Sequence, residues 1–283
     1  ISMPTLKQNK HGMPSAEESG TRLAAALHAP DLAALRAMDA GTLTQTAAAD
    51  GFAPWITVDG HLVPDQLVDI FEKGEQAHVP LLAGFNSGEI RSLRILAPPP
   101  PANAAQYEKA IRDSYGNLAD EFLRLYPSTN MEESILATTR DALYGWTAEE
   151  LVRKQTAINQ PAYLYFFDHG YPAADSAGLH GFHASELPFV FGNFDGTPPL
   201  WPKVPETPQQ RQLSDAMIDY WTSFARTGKP VAKGEPDWPE FDTNKAYMAF
   251  TDAPHPSHHL FPGMYKLVDE VVCRRRASGG QAW

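Results

Sequence analysis

With 283 residues, 43% hydrophobic and 20% charged, the chain holds enough apolar material for one large or two modest globular domains and is not of disordered composition. Lys and Arg total 23 against 34 Asp and Glu, and the formal net charge of −11 argues against nucleic acid or an anionic membrane as the main partner. A single cysteine, Cys273, excludes an internal disulfide and an all-cysteine metal site, and no apolar run approaches the roughly 18 residues of a membrane span.

The N-terminal third reads as helices. Ser15 and Glu18 have capping-box spacing ahead of Leu23, Ala26 and Leu27, and Asp31 caps a second apolar face of Leu32, Leu35 and Met38. Residues 51–64 read as loop, and Asp65 as the cap of a short helix ending at Gly74. The apolar run Val79–Phe85 predicts a strand buried on both faces. Beyond the extended Pro98–Pro101 spacer, helices are expected over 107–115, 118–126 and, without a break, 131 to about 155.

Ala162–Asp168, rich in aromatics, predicts a second buried strand. Thr207, Pro208 and Gln210 open the clearest helix, whose stripe of Leu213, Met217, Tyr220, Trp221 and Phe224 ends at Gly228. A short strand is expected at 247–250 and a final helix over 264–272, with Arg274–Arg276 as its charged last turn. Strands separated by long helical stretches predict an α/β fold with a mostly parallel sheet. Few strands against many helices suggests that part of the sheet lies elsewhere, and Ile1 is an unusual first residue. The chain therefore reads as one piece of a longer or split protein.

Glu89 and His183 each follow a predicted strand, the edge where open α/β sheets build their sites. An acid followed by a histidine is the order expected after the nucleophile of an α/β-hydrolase, although no Gly-x-Ser-x-Gly occurs in the chain. Spacing alone favours a surface carboxylate for Glu89 and leaves His183 balanced between a base and a structural loop histidine. Glu186 is too close in sequence to orient His183 and suits a buried supporting role. Ser176, in Ala174–Gly178, mimics a nucleophile elbow but falls between acid and base, the wrong order. His255, His258 and His259 read as a solvated loop rather than a metal site.

Four segments carry a family likeness. His180–Gly192, with His183 three residues before Glu186, resembles the histidine motif of the type B carboxylesterase and cholinesterase family, and Val79–Glu89 its acid motif, with Glu89 five residues after Gly84. Val58–Gly60 with Pro64–Asp65 is similar to the segment before the acid, and Tyr220–Pro230 with Trp238–Pro239 to a late helix and its exit. His180 fits the histidine position less well than His183.

The resemblance implies the C-terminal part of a single α/β-hydrolase domain spanning 1–283, with Glu89 and His183 as triad acid and base of a serine carboxylesterase that needs no cofactor or metal. The nucleophile and oxyanion loop would come from an N-terminal half, as a partner chain or a preceding segment. The resemblance further implies a small-molecule ester as substrate and Ser92 and Leu93 as substrate-binding residues, and it leans to a periplasmic or secreted setting, with the cytoplasm open. Trp55, Tyr144 and Trp146 are further pocket candidates, with core packing as the competing reading. Ile90 and Ala184 stand where many relatives have glycine. The rival functional class is an esterase-like binding or adhesion protein.

Overall fold

The computed structural model describes residues 3–9 and 12–277, which group into two compact units, one of the described residues up to 75 with 273–277 and one of 76–272. In the first unit, α1 (Ala16–Ala26) begins where Ser15 Oγ accepts the Glu18 N–H at 3.1 Å. The expected box is half formed: the Ser15 N–H donates to Asn9 Oδ1 at 2.8 Å, not to Glu18. Asp31 caps α2 (Leu32–Ala37), and Asp39 caps α3 (Ala40–Ala49), a separate helix the sequence reading did not resolve. Then α4 (Leu67–Lys73) ends on Gly74 at φ 72°, a left-handed turn that suits glycine. Its cap position belongs to Gln66 rather than Asp65. The Gln66 amide is committed to the Met3 backbone, accepting at 2.7 Å and donating at 2.9 Å.

The second unit runs β1 (Leu81–Asn86), α5 (Glu89–Ser92), α6 (Ala104–Tyr115), α7 (Ala119–Leu125), α8 (Met131–Arg140), α9 (Trp146–Ala157), β2 (Ala162–Phe167), α10 (Pro172–Ser176), α11 (Leu187–Val190), α12 (Pro208–Thr227), β3 (Ala246–Phe250), β4 (Pro254–His258) and α13 (Met264–Ala277), whose last residues fall in the first unit. The sheet has the order β1-β2-β3-β4; the first two pairings are parallel and the last antiparallel. Prolines 254 and 256 hid β4 from the sequence reading, and an outer strand is where a sheet tolerates them.

Alternation along β2 explains how the sheet is held. Tyr163 and Phe167 point into a core with Leu213, Met217 and Tyr220 of α12, Phe189 of α11 and Trp238. Ala162, Leu164 and Phe166 point into a second core with Ala148 and Val152 of α9 and Tyr265 of α13. Both faces are apolar because both are covered, as a central parallel strand requires. Each fully buried aromatic or aliphatic side chain contributes about 1.5–3 kcal/mol.

The same pattern on β1 is weaker. Its first four residues are only half-buried, Val79 is exposed, and among the described residues β1 has a strand neighbour on one side only. The expectation of burial on both faces holds for β2 and not for all of β1.

Two helices also depart from expectation. The stretch expected as one helix from 131 to 155 is divided by a π turn at Asp141–Gly145. In α12 the Thr207 hydroxyl caps Gln210 N–H, but the Gln210 side chain does not return to Thr207. It reaches the buried ring of His169 at 2.7 Å instead.

Candidate active site

The pairing of β1 with β2 continues past their ends. Ser87 N–H donates to Phe167 O at 2.9 Å, Gly88 N–H donates to Gly181 O at 2.7 Å, and Gly88 and Phe182 form a parallel bridge. This brings the chain after α10 alongside the chain after β1. The two backbones are too close for side chains: a Cβ on Gly88 would lie 2.5 Å from Leu179 O, and one on Gly181 would lie 3.0 Å from Phe167 O. The glycines beside the acid and the histidine are thus set by close approach.

Glu89 is the first residue of α5, and its carboxylate is held at both oxygens. Oε1 accepts the Asn86 N–H at 2.8 Å, and Oε2 lies 2.5 Å from His183 Nδ1. The Glu89 side chain is 6% exposed and that of His183 is 43% exposed. A carboxylate only accepts, so Nδ1 carries the hydrogen in this pair, which leaves Nε2 as the lone-pair nitrogen of the neutral ring. Among the described residues Nε2 has no hydrogen-bond partner. The arrangement can take a proton at Nε2 while the buried carboxylate steadies the resulting imidazolium.

The His183 loop is tight. Ala184 stands at φ 65° and His180 at φ 52°, a region that favours glycine. Glu186 lies half-buried behind the pair and accepts from Asn86 Nδ2. Burial pushes the Glu186 carboxyl above its ordinary range and the Glu89 charge adds to this, against the pull of the Asn86 amide and of His183. The Tyr165 ring lies across Gly84, where a Cβ would sit 2.3 Å from it. The Tyr165 hydroxyl is pushed up by burial and then by the charges of Glu186 and Glu89.

Tyr144 enters from the π turn, its ring centroid 5.7 Å from that of His183. Behind the acid loop, Arg140 donates to Ser87 O at 3.3 Å and to Asp141 Oδ1 at 2.8 Å, and Tyr126 Oη donates to Asp141 Oδ2 at 2.9 Å. Asp141 is fully buried; burial raises its carboxyl, with Arg140 and Tyr126 opposing. Sequence reasoning passed over this network, whose signal is an Arg-Asp pair in the middle of an apolar helical pattern. It passed over Asn86 as well.

The other sequence candidates fall as follows. Ser92 closes α5 and is exposed; Leu93 follows it, half-buried. Trp146 and Tyr144 both pack against the core around Tyr265, which supports the packing reading for each, although the Tyr144 ring also lies near His183. Trp55 is exposed in the first unit. His180 pairs with Asp175 at 2.8 Å, and Ser176 ends α10, nine residues past β2, rather than sitting on a strand-to-helix elbow. His255 and His258 lie on β4 and not in a loop; both are exposed, as is His259. Among the described residues, no three His, Cys, Asp or Glu stand together to hold a metal, and no helix is long and apolar enough to cross a membrane.

The carboxylesterase family profile matches residues 14–267. The chain belongs to the carboxylesterase family. It is 26% identical over 265 residues to fumonisin B1 esterase of Sphingopyxis macrogoltabida, covering 88% of this chain and 47% of that protein. It is 31% identical over 122 residues to the medium-chain fatty acyl-CoA hydrolase precursor of Anas platyrhynchos, covering 42% and 21%. A solved PNB esterase superposes with a TM-score of 0.67 at 23% identity, covering 89% of this chain and 54% of that one. The fold is that of an α/β-hydrolase. This carboxylesterase-family chain spans less than half the length of these curated relatives and about half that of the solved esterase.

Proposed function

We propose that this chain is the C-terminal part of a single α/β-hydrolase domain and supplies the acid and base of a serine carboxylesterase, Glu89 and His183. The observation that carries the reading is the 2.5 Å contact between a buried carboxylate and Nδ1 of a half-exposed imidazole whose Nε2 is unengaged. Relatives named as an esterase and an acyl-CoA hydrolase point to carboxylic esters or thioesters as the substrate class.

In this reading a serine hydroxyl attacks the acyl carbonyl as His183 Nε2 takes its proton. The tetrahedral intermediate collapses and the same proton passes to the departing alcohol or thiol. Water then attacks the acyl-enzyme by the same route and frees the acid and the serine. The 283 residues contain no Gly-x-Ser-x-Gly, so the serine is assigned to another segment of the complete protein, where backbone donors would hold the oxyanion. Tyr144, Ser92 and Leu93 are the proposed pocket side chains.

Treatment of the complete protein with a fluorophosphonate, followed by peptide mapping, tests this. One adduct is expected, on a serine outside these 283 residues and within Gly-x-Ser-x-Gly. An adduct on Ser176, or none in a folded sample, overturns the assignment; no adduct would favour the binding-protein class.

A further inference from the structure

Asn86, the last residue of β1, is 1% exposed and holds three partners at once. Its backbone N–H donates to Glu89 Oε1 at 2.8 Å. Its side-chain Nδ2 donates to Phe182 O at 2.8 Å and also to Glu186 Oε2. Phe182 is the residue immediately before His183. One residue therefore fastens the acid through its backbone, and through its side chain both the loop that carries the base and the half-buried Glu186.

The orientation of the amide is fixed by chemistry. Both side-chain contacts are oxygens that accept, so a flipped amide would set Oδ1 against a carbonyl and a carboxyl oxygen. In the observed orientation Oδ1 is buried without a partner. An unsatisfied buried acceptor costs about 1–3 kcal/mol. Side chains that merely fill space have no need of such a cost; one that must present two donors in a fixed direction does.

We infer that the Asn86 side chain is a positioning group: beside a backbone N–H that already holds Glu89 Oε1 and leaves Oε2 for His183, its amide anchors the histidine loop at Phe182 O and holds Glu186 off the imidazole. The inference rests on the Glu89–His183 reading above. Glu186, read from the sequence as too near in the loop to orient His183, is in the structure the second carboxylate whose charge interacts with the ring. The other ionisable groups facing the pair are Tyr144 from the π turn and Tyr165 from β2, with Arg140 reaching the acid loop at Ser87 O. None of these three bonds Glu89 or Glu186, so Asn86 alone discriminates between the acids among the described residues.

The test uses the complete protein and hydrolysis of 4-nitrophenyl butyrate. Asn86→Ala is expected to lower kcat on the order of 10- to 100-fold with KM little changed, the cost of a misplaced catalytic group. Asn86→Asp adds a negative charge beside the ring, which favours the imidazolium. The acid limb of kcat/KM should then move to higher pH, because the neutral ring is the working form. The downfield proton resonance of His183 Nδ1–H should broaden or vanish in both variants.

Unchanged kcat per folded molecule, acid limb and proton resonance would show a structural residue only, whatever happens to the melting temperature. Should neither variant fold, two further measurements decide. In the unaltered protein the Asn86 Nδ2 protons should resist exchange with solvent, and prompt exchange overturns the inference. Glu186→Gln keeps an acceptor for the amide and should shift the acid limb to lower pH; no shift overturns it. Full activity in His183→Ala would sink the catalytic reading itself, whereas an inactive His183→Ala beside fully active Asn86 variants would sink only this inference.

Discussion

Of the three histidines between β2 and α11, His169 and His183 make the sharpest contrast, and in the proposed reading only His183 works. His169 stands two residues after the strand, 2% exposed, with Nε2 against Gln210 Oε1 at 2.7 Å and Nδ1 3.5 Å from Asp252 of the β3–β4 connection. His183 comes fourteen residues later, with a carboxylate on one nitrogen and its side chain 43% exposed. Each ring has an acidic neighbour, so a nearby acid does not by itself mark a base; under the proposed reading, access to the second nitrogen is what separates the two. His169 ties α12 to the ends of β2 and β3; His183 is held by one edge only.

The largest expected effect separates the two rings. In the complete protein His183→Ala should lower kcat/KM roughly 10⁴-fold with little loss of stability. His169→Leu should leave kcat per folded molecule unchanged and cost about 1–3 kcal/mol by stranding the Gln210 amide, read in urea titrations. If His169→Leu abolished turnover at full stability, the contrast would fail.

Gly88→Ala sets a Cβ 2.5 Å from a backbone oxygen that cannot rotate away. It should cost about 1–3 kcal/mol and pry the acid loop from the histidine loop. Activity should fall along with stability, and loss of only one of the two would contradict the shared-backbone account.

Glu186 sharpens the picture through pH. Its carboxyl is raised in the folded chain, so the folded state holds that proton more tightly than the unfolded state. This stabilising contribution is complete below the ordinary carboxylate range and is lost as pH rises through the raised value. Glu186→Gln, always neutral, should therefore match the wild type near pH 4 and exceed it near pH 8. Equal denaturation midpoints at both pH values would count against burial as the dominant cause.

The smallest effect concerns Ala184, at φ 65°. A left-handed alanine costs about 1–2 kcal/mol, and glycine returns about 0.5–1 kcal/mol of that through chain entropy. Ala184→Gly should thus raise stability by about 0.5 kcal/mol, measurable by calorimetry, with turnover retained.

Much of this was legible in the residues because it follows from local chemistry. The caps at Ser15, Asp31 and Thr207, the glycine stops at Gly74 and Gly228, and the apolar runs of β1 and β2 are short-range signals, and the structure uses them. Strand ends drew attention to Glu89 and His183, but spacing alone favoured a surface carboxylate and left the histidine open, and it was the family resemblance that paired them. The failures were long-range. Gln210 and Glu18 have the spacing to complete capping boxes, yet the Gln210 side chain is taken by His169 and Asn9 takes the Ser15 N–H that Glu18 would have bonded. Asn86 carries no periodic signal, and its importance appears only once Phe182 O and Glu186 stand beside it. Ala184 was noted as a departure from glycine; only φ shows what the departure costs.

The π turn at Asp141–Gly145 sets a limit on how this region can change length. A wider turn accommodates one residue more than an α-helical turn, and each residue advances a helix by about 100°. Removing a single residue there would make α8 and α9 one smooth rod while turning Ala148 and Val152 away from the sheet and carrying Tyr144 off the imidazole. The bulge works as a counted spacer, so a one-residue deletion in it should be less forgivable than most substitutions.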